Sequence, residues 1–234
     1  MKRSYHQFCG LAVALDTVAE RWALLIIRDL APGPRRFTDL FAGLPGIATD
    51  VLADRLRSLE LVGAVEQTTT SHPAPAKLYQ LTERGQDLAR ISGELALWGM
   101  PLLPANVTKT YRSDARWALQ SMTSAYRGGL PSGNYRLTVD DHHLTISISR
   151  GTAQLSDGHA DAAHKPVFAV QCSKAQLFAM IRRPPTDANW PASIVASGRT
   201  QLLGPFFAAM PLRPRAAAGG RESQTNETVS GLGP

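Results

Sequence analysis

The sequence predicts two consecutive α+β domains followed by a polar tail. The first hundred residues hold short amphipathic helical patterns and one β-hairpin pattern, whereas residues 135–172 are rich in alternating strand patterns. Proline residues near Pro101 separate the two parts, and the tail from Arg213 has almost no large apolar side chain. With 234 residues and 44% hydrophobic content, the chain can bury two cores. We place the domains at 1–103 and 104–212, and expect 213–234 to be disordered.

Two helical patterns open the first domain. Apolar residues recur at helical spacing between Gly10 and Val18, and a second apolar run extends from Trp22 to Leu30. The Ala-Pro-Gly-Pro sequence at 31–34 must end this second helix, because proline moves the preceding residue away from helical geometry.

The next two helical patterns are typical of a helix-turn-helix. One helix has its apolar face at Phe37, Leu40, Phe41 and Leu44. After a tight connection at 45–48, a second helix runs to about Leu61, and its buried face is formed by Val51, Leu52, Leu56 and Leu59. The pair predicts a helix-turn-helix whose second helix exposes the opposite face.

A hairpin and a long helix complete this domain. Residues 64–70 and 77–81 read as strands around a loop, which predicts the wing of a winged helix. Thr82 is a suitable N-cap for the following helix, which ends near Gly99. Its apolar stripe of Leu88, Ile91, Leu95 and Trp98 predicts pairing with a second chain or packing on its own domain. Trp22 and Trp98 are expected in the core or in that interface.

The second domain begins with a helix at about 113–126. Strand patterns at 135–139 and 144–148 flank a predicted turn at 140–143, and further strands follow at 151–155, 166–172 and 193–198. Ser173 is a predicted cap for a helix after the fourth strand, and a last helix covers 201–210. This order predicts a mixed sheet with helices packed on it.

The first domain resembles the HxlR family of transcriptional regulators. The resemblance is carried by Cys9, Arg21–Ile26, Gly33–Phe37, Leu44–Ile47, Val51–Leu56 and Tyr79–Gly85, in this order and spacing over residues 5–99. It implies a winged helix, homodimerisation through the terminal helices, and binding to a double-stranded DNA operator. At Ala48 the family usually has a hydroxyl residue that caps the recognition helix, so we expect Thr49 to act as the cap here.

The second domain resembles the sterol-carrier-like domain that follows some of these regulators. The resemblance implies a hydrophobic cavity for an apolar or lipid-like molecule. The candidate lining residues are Met122, Phe168, Phe178, Trp190, Phe206 and Phe207. The alternative is that these side chains fill a solid core.

The candidate DNA contacts lie on the helix-turn-helix and on the wing. The outward residues of the recognition helix are Thr49, Asp50, Ala53, Asp54, Arg55 and Arg57. Arg35 and Arg36 are placed to meet phosphates, unless one of them pairs with Asp39. His72 and Lys77 flank the wing tip, where they reach DNA or are simply exposed. The alternative for the whole helix face is a solvated surface.

Charge gives little support to DNA binding. The net charge is +6, but residues 1–99 hold 11 basic and 11 acidic side chains, so the whole excess lies in the second half. Asp50 and Asp54 also make the recognition helix acidic, although carboxylates can accept a hydrogen bond from cytosine. DNA binding therefore requires a local basic patch.

The two cysteines are far apart in sequence, and no signal-peptide or membrane-helix pattern is present, so we expect a cytoplasmic protein without membrane insertion. Cys9 is a redox candidate, because some relatives of this family sense oxidants at this position; the alternative is an inert cysteine. Cys172 is expected to be structural.

The sequence contains no phosphate-binding glycine loop, no metal-spaced cluster and no nucleophile elbow, so we expect neither an enzyme nor a cofactor. His142 and His143 are placed at a hairpin tip and point to opposite faces, which argues against a metal site. We interpret the chain as a homodimeric DNA-binding regulator that responds to an apolar molecule bound by its C-terminal domain. The alternatives are a lipid-binding or scaffold protein whose winged helix no longer binds DNA, and a redox sensor acting through Cys9.

Overall fold

The computed structural model describes residues 4–70, 75–103, 112–158, 165–186 and 193–212. Among the described helices, none is both long and apolar enough to cross a membrane. His72, Trp190 and the predicted tail lie outside the described residues, and the predicted domain boundaries stay predictions.

The N-terminal domain is a winged helix, as the sequence predicts. Its helices are α1 (Gly10–Val18), α2 (Ala23–Leu30), α3 (Phe37–Gly43), α4 (Thr49–Leu61) and α5 (Glu83–Gly99), and its strands are β1 (Arg35–Arg36), β2 (Val65–Thr70) and β3 (Ala76–Leu81). The strands form an antiparallel sheet in the order β1-β3-β2. One apolar core unites α2, α3, α4 and the wing, and it includes the predicted stripe of Leu52, Leu56 and Leu59.

Two local features differ from the sequence interpretation. Arg35 and Arg36 form a two-residue strand against β3, with Arg35 opposite Tyr79, where the sequence predicted only the start of a helix. Thr49 is the first residue of α4 and does not cap it; the N-cap is Ala48, whose methyl side chain accepts no hydrogen bond. The expected cap at Thr49 is therefore wrong, since the helix begins where the family pattern places it even without a hydroxyl.

The second domain is a five-stranded mixed sheet with helices. It comprises α6 (Ala115–Ala125), β4 (Gly133–Val139), β5 (His142–Ser149), β6 (Thr152–Asp157), β7 (Phe168–Cys172), α7 (Lys174–Arg182), β8 (Val195–Gly198) and α8 (Leu203–Ala209). The strand order is β6-β5-β4-β7-β8, and β4 and β7 are parallel. The molecule is thus α+β, as predicted.

The turn between β4 and β5 is tighter than the sequence suggested. It contains only Asp140 and Asp141, and Asp140 has a φ of 49°, a left-handed conformation that aspartate tolerates in hairpin turns. His142 and His143 therefore belong to β5, opposite Val139 and Thr138, and not to the hairpin tip.

The core of the second domain is filled by aromatic rings. Phe206 lies 5.3 Å from Tyr135 and 5.1 Å from Phe168 between ring centroids, and Phe207 lies 5.3 Å from Phe206. Met122 is also fully buried in this cluster. This packing favours the solid-core alternative for four of the six predicted cavity residues. A fifth, Phe178, is half-buried on α7.

The two domains are docked through a set of residues that we call the domain junction: Asp29, Arg35, Trp117 and Asp157. Trp117 of α6 donates its indole N–H to the Asp29 carboxylate of α2 at 2.9 Å. Arg35 donates from Nε to the carbonyl of Asp29 at 2.6 Å and forms an ion pair with Asp157 of β6. The amide of Asp157 in turn donates to the carbonyl of Pro32 at 2.9 Å. The C-terminal domain therefore holds the segment that leads into α3.

Candidate nucleic-acid interface

The recognition helix α4 divides cleanly into a buried and an exposed face. Leu52, Leu56 and Leu59 are 0–1% exposed and fill the core. The predicted contacts Thr49, Asp50, Asp54 and Arg57 are exposed, whereas Ala53 and Arg55 are half-buried. The 3.6-residue period of the helix dictates this division, because residues three or four apart share a face. We call the four exposed residues the recognition face.

Opposite charges are paired on and beside this face. Arg57 donates to the Asp54 carboxylate at 2.7 Å, one turn earlier on α4. Because both side chains are largely exposed, this pair contributes little to stability and can open to meet a ligand. Arg55 lies 3.3 Å from Glu20, in the segment between α1 and α2, so its charge is directed away from the recognition face.

The two arginines before α3 have different surroundings. Arg35 is committed to the domain junction through Asp29 and Asp157. Arg36 is exposed, and its backbone amide donates to the Asp39 carboxylate at 3.3 Å. Neighbouring residues of a strand point to opposite faces, so one arginine faces the second domain and the next faces solvent. Asp39 caps α3 through the Arg36 amide.

The wing adds a second exposed cation. Lys77 opposes Thr69 in the β2–β3 hairpin, and its Nζ lies 5.9 Å from the ring of Tyr79. Because β1 pairs with β3, placing Arg36 opposite Leu78, Arg36 and Lys77 lie at the same end of the small sheet. Because Lys77 and Leu78 are consecutive in β3, the side chains of Lys77 and Arg36 point to opposite faces of the sheet at this end of the wing.

The two cysteines differ in environment. Cys9 is exposed just before α1, and the backbone amides of Ala12 and Leu11 lower the pKa of its thiol. Cys172 is buried at the end of β7, where burial and the nearby Asp140 raise the pKa of the thiol to about 11. Only Cys9 is therefore placed for thiolate chemistry at neutral pH.

Several large apolar side chains remain exposed on α1 and α5. Trp98 is 70% exposed and Ile91 is 65% exposed, whereas Leu88 of the same predicted stripe is half-buried against the N-terminal core. The other exposed large apolar side chains of these two helices are Leu11, Val13, Leu15 and Leu95. Trp22 is half-buried against the core, under the Arg21 guanidinium at 5.1 Å from its ring centroid. The α5 stripe is thus divided between its own domain and solvent.

Sequence reasoning missed the domain junction. Asp29 and Trp117 are 88 residues apart, and Arg35 and Asp157 are 122 apart. The only sequence signal was an acidic residue inside the most apolar helix, because a carboxylate at such a position requires a buried donor. Asp29 is 7% exposed and has two such donors, Arg28 and Trp117.

Comparisons with known proteins agree with the geometry of this domain. The family model described as HxlR-like helix-turn-helix matches residues 17–106. The uncharacterized HTH-type transcriptional regulator YvaP of Bacillus subtilis is 38% identical over 85 residues, which are 36% of this chain and 79% of YvaP. The HTH-type transcriptional regulator YodB of the same organism is 34% identical over 36% of this chain and 76% of YodB.

A longer relative and a solved structure also match part of this chain. The uncharacterized HTH-type transcriptional regulator Rv3095 of Mycobacterium tuberculosis is 42% identical over 101 residues, and the match spans 42% of this chain and 63% of Rv3095. The solved structure of the reduced form of YodB is 29% identical, covers 43% of this chain and all of that chain, and has a TM-score of 0.37. With its winged helix, the family model over residues 17–106 and the sequence identity to YvaP, the chain belongs to the HxlR-like helix-turn-helix family of transcriptional regulators.

Proposed function

We propose that the protein is a homodimeric regulator that binds a DNA operator through the recognition face of α4. The carrying observation is that Thr49, Asp50, Asp54 and Arg57 are all exposed on the helix that follows α3, while the opposite face of that helix is fixed in the core. In a helix-turn-helix this second helix enters the major groove. In the groove, Arg57 can release Asp54 and donate hydrogen bonds to the edge of a guanine, and a carboxylate can accept a hydrogen bond from cytosine.

Phosphate contacts in this proposal come from Arg36 and Lys77. Both are exposed on the strands of the wing sheet, and among the described residues neither side chain forms an ion pair with a carboxylate. Arg35 has a role in the domain junction instead. A small number of phosphate contacts implies modest affinity per protomer, so operator binding depends on two copies.

The dimer is proposed to form through the exposed apolar side chains of α1 and α5. Ile91, Leu95 and Trp98 continue along one side of α5, and burying them against a second copy would remove a large apolar surface from water. A two-fold arrangement would place two α4 helices side by side for consecutive major grooves.

A gel-shift titration against the DNA upstream of the protein's own gene tests DNA binding. We expect a specific shift that weakens with salt, and Arg36→Ala should lower the salt slope by about two, because a dimer loses two phosphate contacts. Lys165→Ala, which removes an exposed cation from the second domain, is the matched control and should leave the slope unchanged. Absence of any specific shift at moderate salt would refute the regulator and favour a scaffold or lipid-binding protein.

Analytical ultracentrifugation tests the dimer. Ile91→Lys on α5 should convert the protein to monomers and abolish the gel shift, since a charge cannot be buried in an apolar interface without a partner. Val195→Lys changes a similarly exposed β-branched residue on β8 and should leave the dimer intact. A monomeric unmodified protein would contradict the proposal.

A second candidate function is a thiol response at Cys9. It is supported by the exposure of Cys9 and by the backbone amides at the start of α1 that lower its pKa. A thiolate at this position is open to oxidation or to an electrophile. Under this hypothesis Cys9→Ser abolishes the effect of oxidant on the gel shift but leaves binding by the reduced protein unchanged. An equal oxidant effect in Cys9→Ser would refute it.

A further inference from the structure

A crevice of 380 Å³ lies where the two domains meet, between α2, α5 and α6. Its walls include Leu24 and Leu25 from α2, Ala96 from α5 and Trp117 from α6. It is therefore formed only when the C-terminal domain is docked on the winged helix. Its volume falls within the range of sites for small molecules.

Two polar atoms in the wall of the crevice lack a partner. The hydroxyl oxygen of Ser92 on α5 and the amide oxygen of Gln120 on α6 are both enclosed by protein, and neither has a hydrogen-bond partner among the described residues. Enclosing such atoms unpaired is costly, and native proteins rarely do so without a compensating partner. Both residues line the crevice but these two oxygens are not open to it, so a molecule that carries a hydrogen-bond donor would supply the missing partner once the Ser92 or Gln120 side chain turns toward it.

The charge of the crevice restricts the kind of molecule. Arg28 is the charged residue in the described lining, and its guanidinium is held by Asp29 at 2.9 Å and lies 4.0 Å from the ring centroid of Trp117. Because this charge is already compensated, the crevice offers no net attraction for an anion and no carboxylate for a cation. Most of the remaining wall is aliphatic, with one aromatic ring from Trp117.

We propose that this crevice is a binding site for a small neutral molecule that is mostly apolar and carries a hydroxyl or N–H donor. The apolar part contacts the leucine side chains and Trp117, and the donor reaches the oxygen of Gln120 or Ser92. This places the ligand between the domains, whereas the sequence suggested a cavity inside the second domain. The site goes beyond DNA binding and does not require it.

The crevice is directly connected to the domain junction. Trp117 and Arg28 form part of its wall, and both also donate to Asp29, whose carbonyl accepts from Arg35 just before α3. A molecule that shifts Trp117 therefore acts on the segment that leads into the helix-turn-helix. Any effect on DNA affinity must be matched by an equal effect of DNA on ligand affinity.

The test is a calorimetric titration of the full chain, without DNA, with 4-ethylphenol and its methyl ether 4-ethylanisole. The two probes share an apolar ring, but only the phenol has a donor. We expect saturable binding of the phenol at about tenfold higher affinity than the ether, the effect of one hydrogen bond to a buried acceptor. In Ser92→Ala/Gln120→Leu the ether should still bind and the preference for the phenol should disappear.

Ala96→Phe fills the crevice from its exposed rim and should abolish binding of both probes. Ala208→Phe, an exposed alanine on α8 outside the described lining, is the matched control and should bind normally. Circular dichroism of each variant checks the fold. No saturable binding of 4-ethylphenol, binding that survives in Ala96→Phe, or a phenol preference that survives in Ser92→Ala/Gln120→Leu would each overturn the proposal. Because the titration contains no DNA, a negative result would overturn the binding site without bearing on the gel-shift test of DNA binding.

Discussion

Replacing Trp117 with phenylalanine tests whether the two domains fold as one docked unit. The substitution keeps an aromatic ring beneath Arg28 but removes the indole N–H that donates to Asp29 at 2.9 Å. Asp29 is 7% exposed, so water cannot readily replace the lost donor. We therefore expect Trp117→Phe to destabilise the whole chain and not only its own domain.

The magnitude follows from the chemistry of the bond. A hydrogen bond to a charged group contributes about 1.5–3 kcal/mol, and removing one partner leaves the desolvation of the other uncompensated. Arg28 still neutralises Asp29 in the variant, because its Nε donates to the same carboxylate at 2.9 Å. The expected loss is therefore about 2 kcal/mol and not the larger cost of a wholly unpaired buried charge.

A double-mutant cycle with Asp29→Asn isolates the bond. Urea unfolding is followed by circular dichroism at one protein concentration, since a dimer would make stability depend on concentration. Asp29→Asn weakens the Arg28 contact equally in the single and in the double variant, so this effect cancels in the cycle. What remains is the coupling energy between Trp117 and Asp29, which we expect to be about 1.5–3 kcal/mol. The control cycle pairs Asp29→Asn with Trp98→Phe, on the exposed side of α5, and should be additive. Coupling below about 0.5 kcal/mol, or separate unfolding of two domains, would refute the docking.

Three further predictions concern stability. Ala48→Ser supplies the missing cap of α4 and should raise the unfolding free energy by about 1 kcal/mol; no increase in urea unfolding would contradict this. Burial raises the pKa of Asp114 but hydrogen bonds from the neighbouring arginine outweigh it, giving about 2. The ionised form of Asp114 thus stabilises the fold at neutral pH by about 2 kcal/mol. The unfolding free energy of Asp114→Asn should be lower than that of the unmodified protein at neutral pH, and this difference should shrink between pH 5 and pH 2; a difference that stays constant with pH would contradict the prediction. Gly85→Ala brings a methyl group into a clash with the carbonyl oxygen of Ala64 and should cost about 1–3 kcal/mol, whereas Gly99→Ala meets open space and should be neutral or stabilising. Equal melting temperatures for the two glycine variants would refute that contrast.

The elements of the winged helix could be predicted because each has a strong local pattern. The stripe of α4, the proline-rich end of α2 and the threonine cap of α5 are all short-range signals, and Thr82 does accept from the amide of Gly85 at 3.1 Å. The two-residue strand β1 could not be predicted in this way, because it exists only through its pairing with β3, more than forty residues later. The same holds for the tight turn at Asp140, whose length is set by strand register.

The candidate site was only partly predictable for a similar reason. Helical period identifies most of the side chains of α4 that face outward: Thr49, Asp50, Asp54 and Arg57 are exposed as expected, whereas Ala53 and Arg55, also expected to face outward, are half-buried. The different surroundings of Arg35 and Arg36 depend on Asp157, which is 122 residues away from Arg35. Likewise, the crevice between the domains consists of residues from three helices, none of which has a distinctive pattern for a ligand.

The segment between α2 and α3 connects the second domain to the helix-turn-helix. Pro32 and Arg35 bind Asp157 of the second domain, and Arg36, the next residue, faces solvent beside the wing. Since Arg35 and Arg36 are consecutive residues of β1 and both pair with β3, a displacement of the backbone at Arg35 by the second domain also moves the backbone of Arg36. If Arg36 contacts a phosphate as proposed, the second domain can control DNA affinity through the position of this arginine, without any change inside α4. Weakening of the ion pair by Asp157→Asn should consequently alter operator affinity although residue 157 lies far from α4 in sequence, and gel-shift midpoints identical to those of the unmodified protein would refute this route.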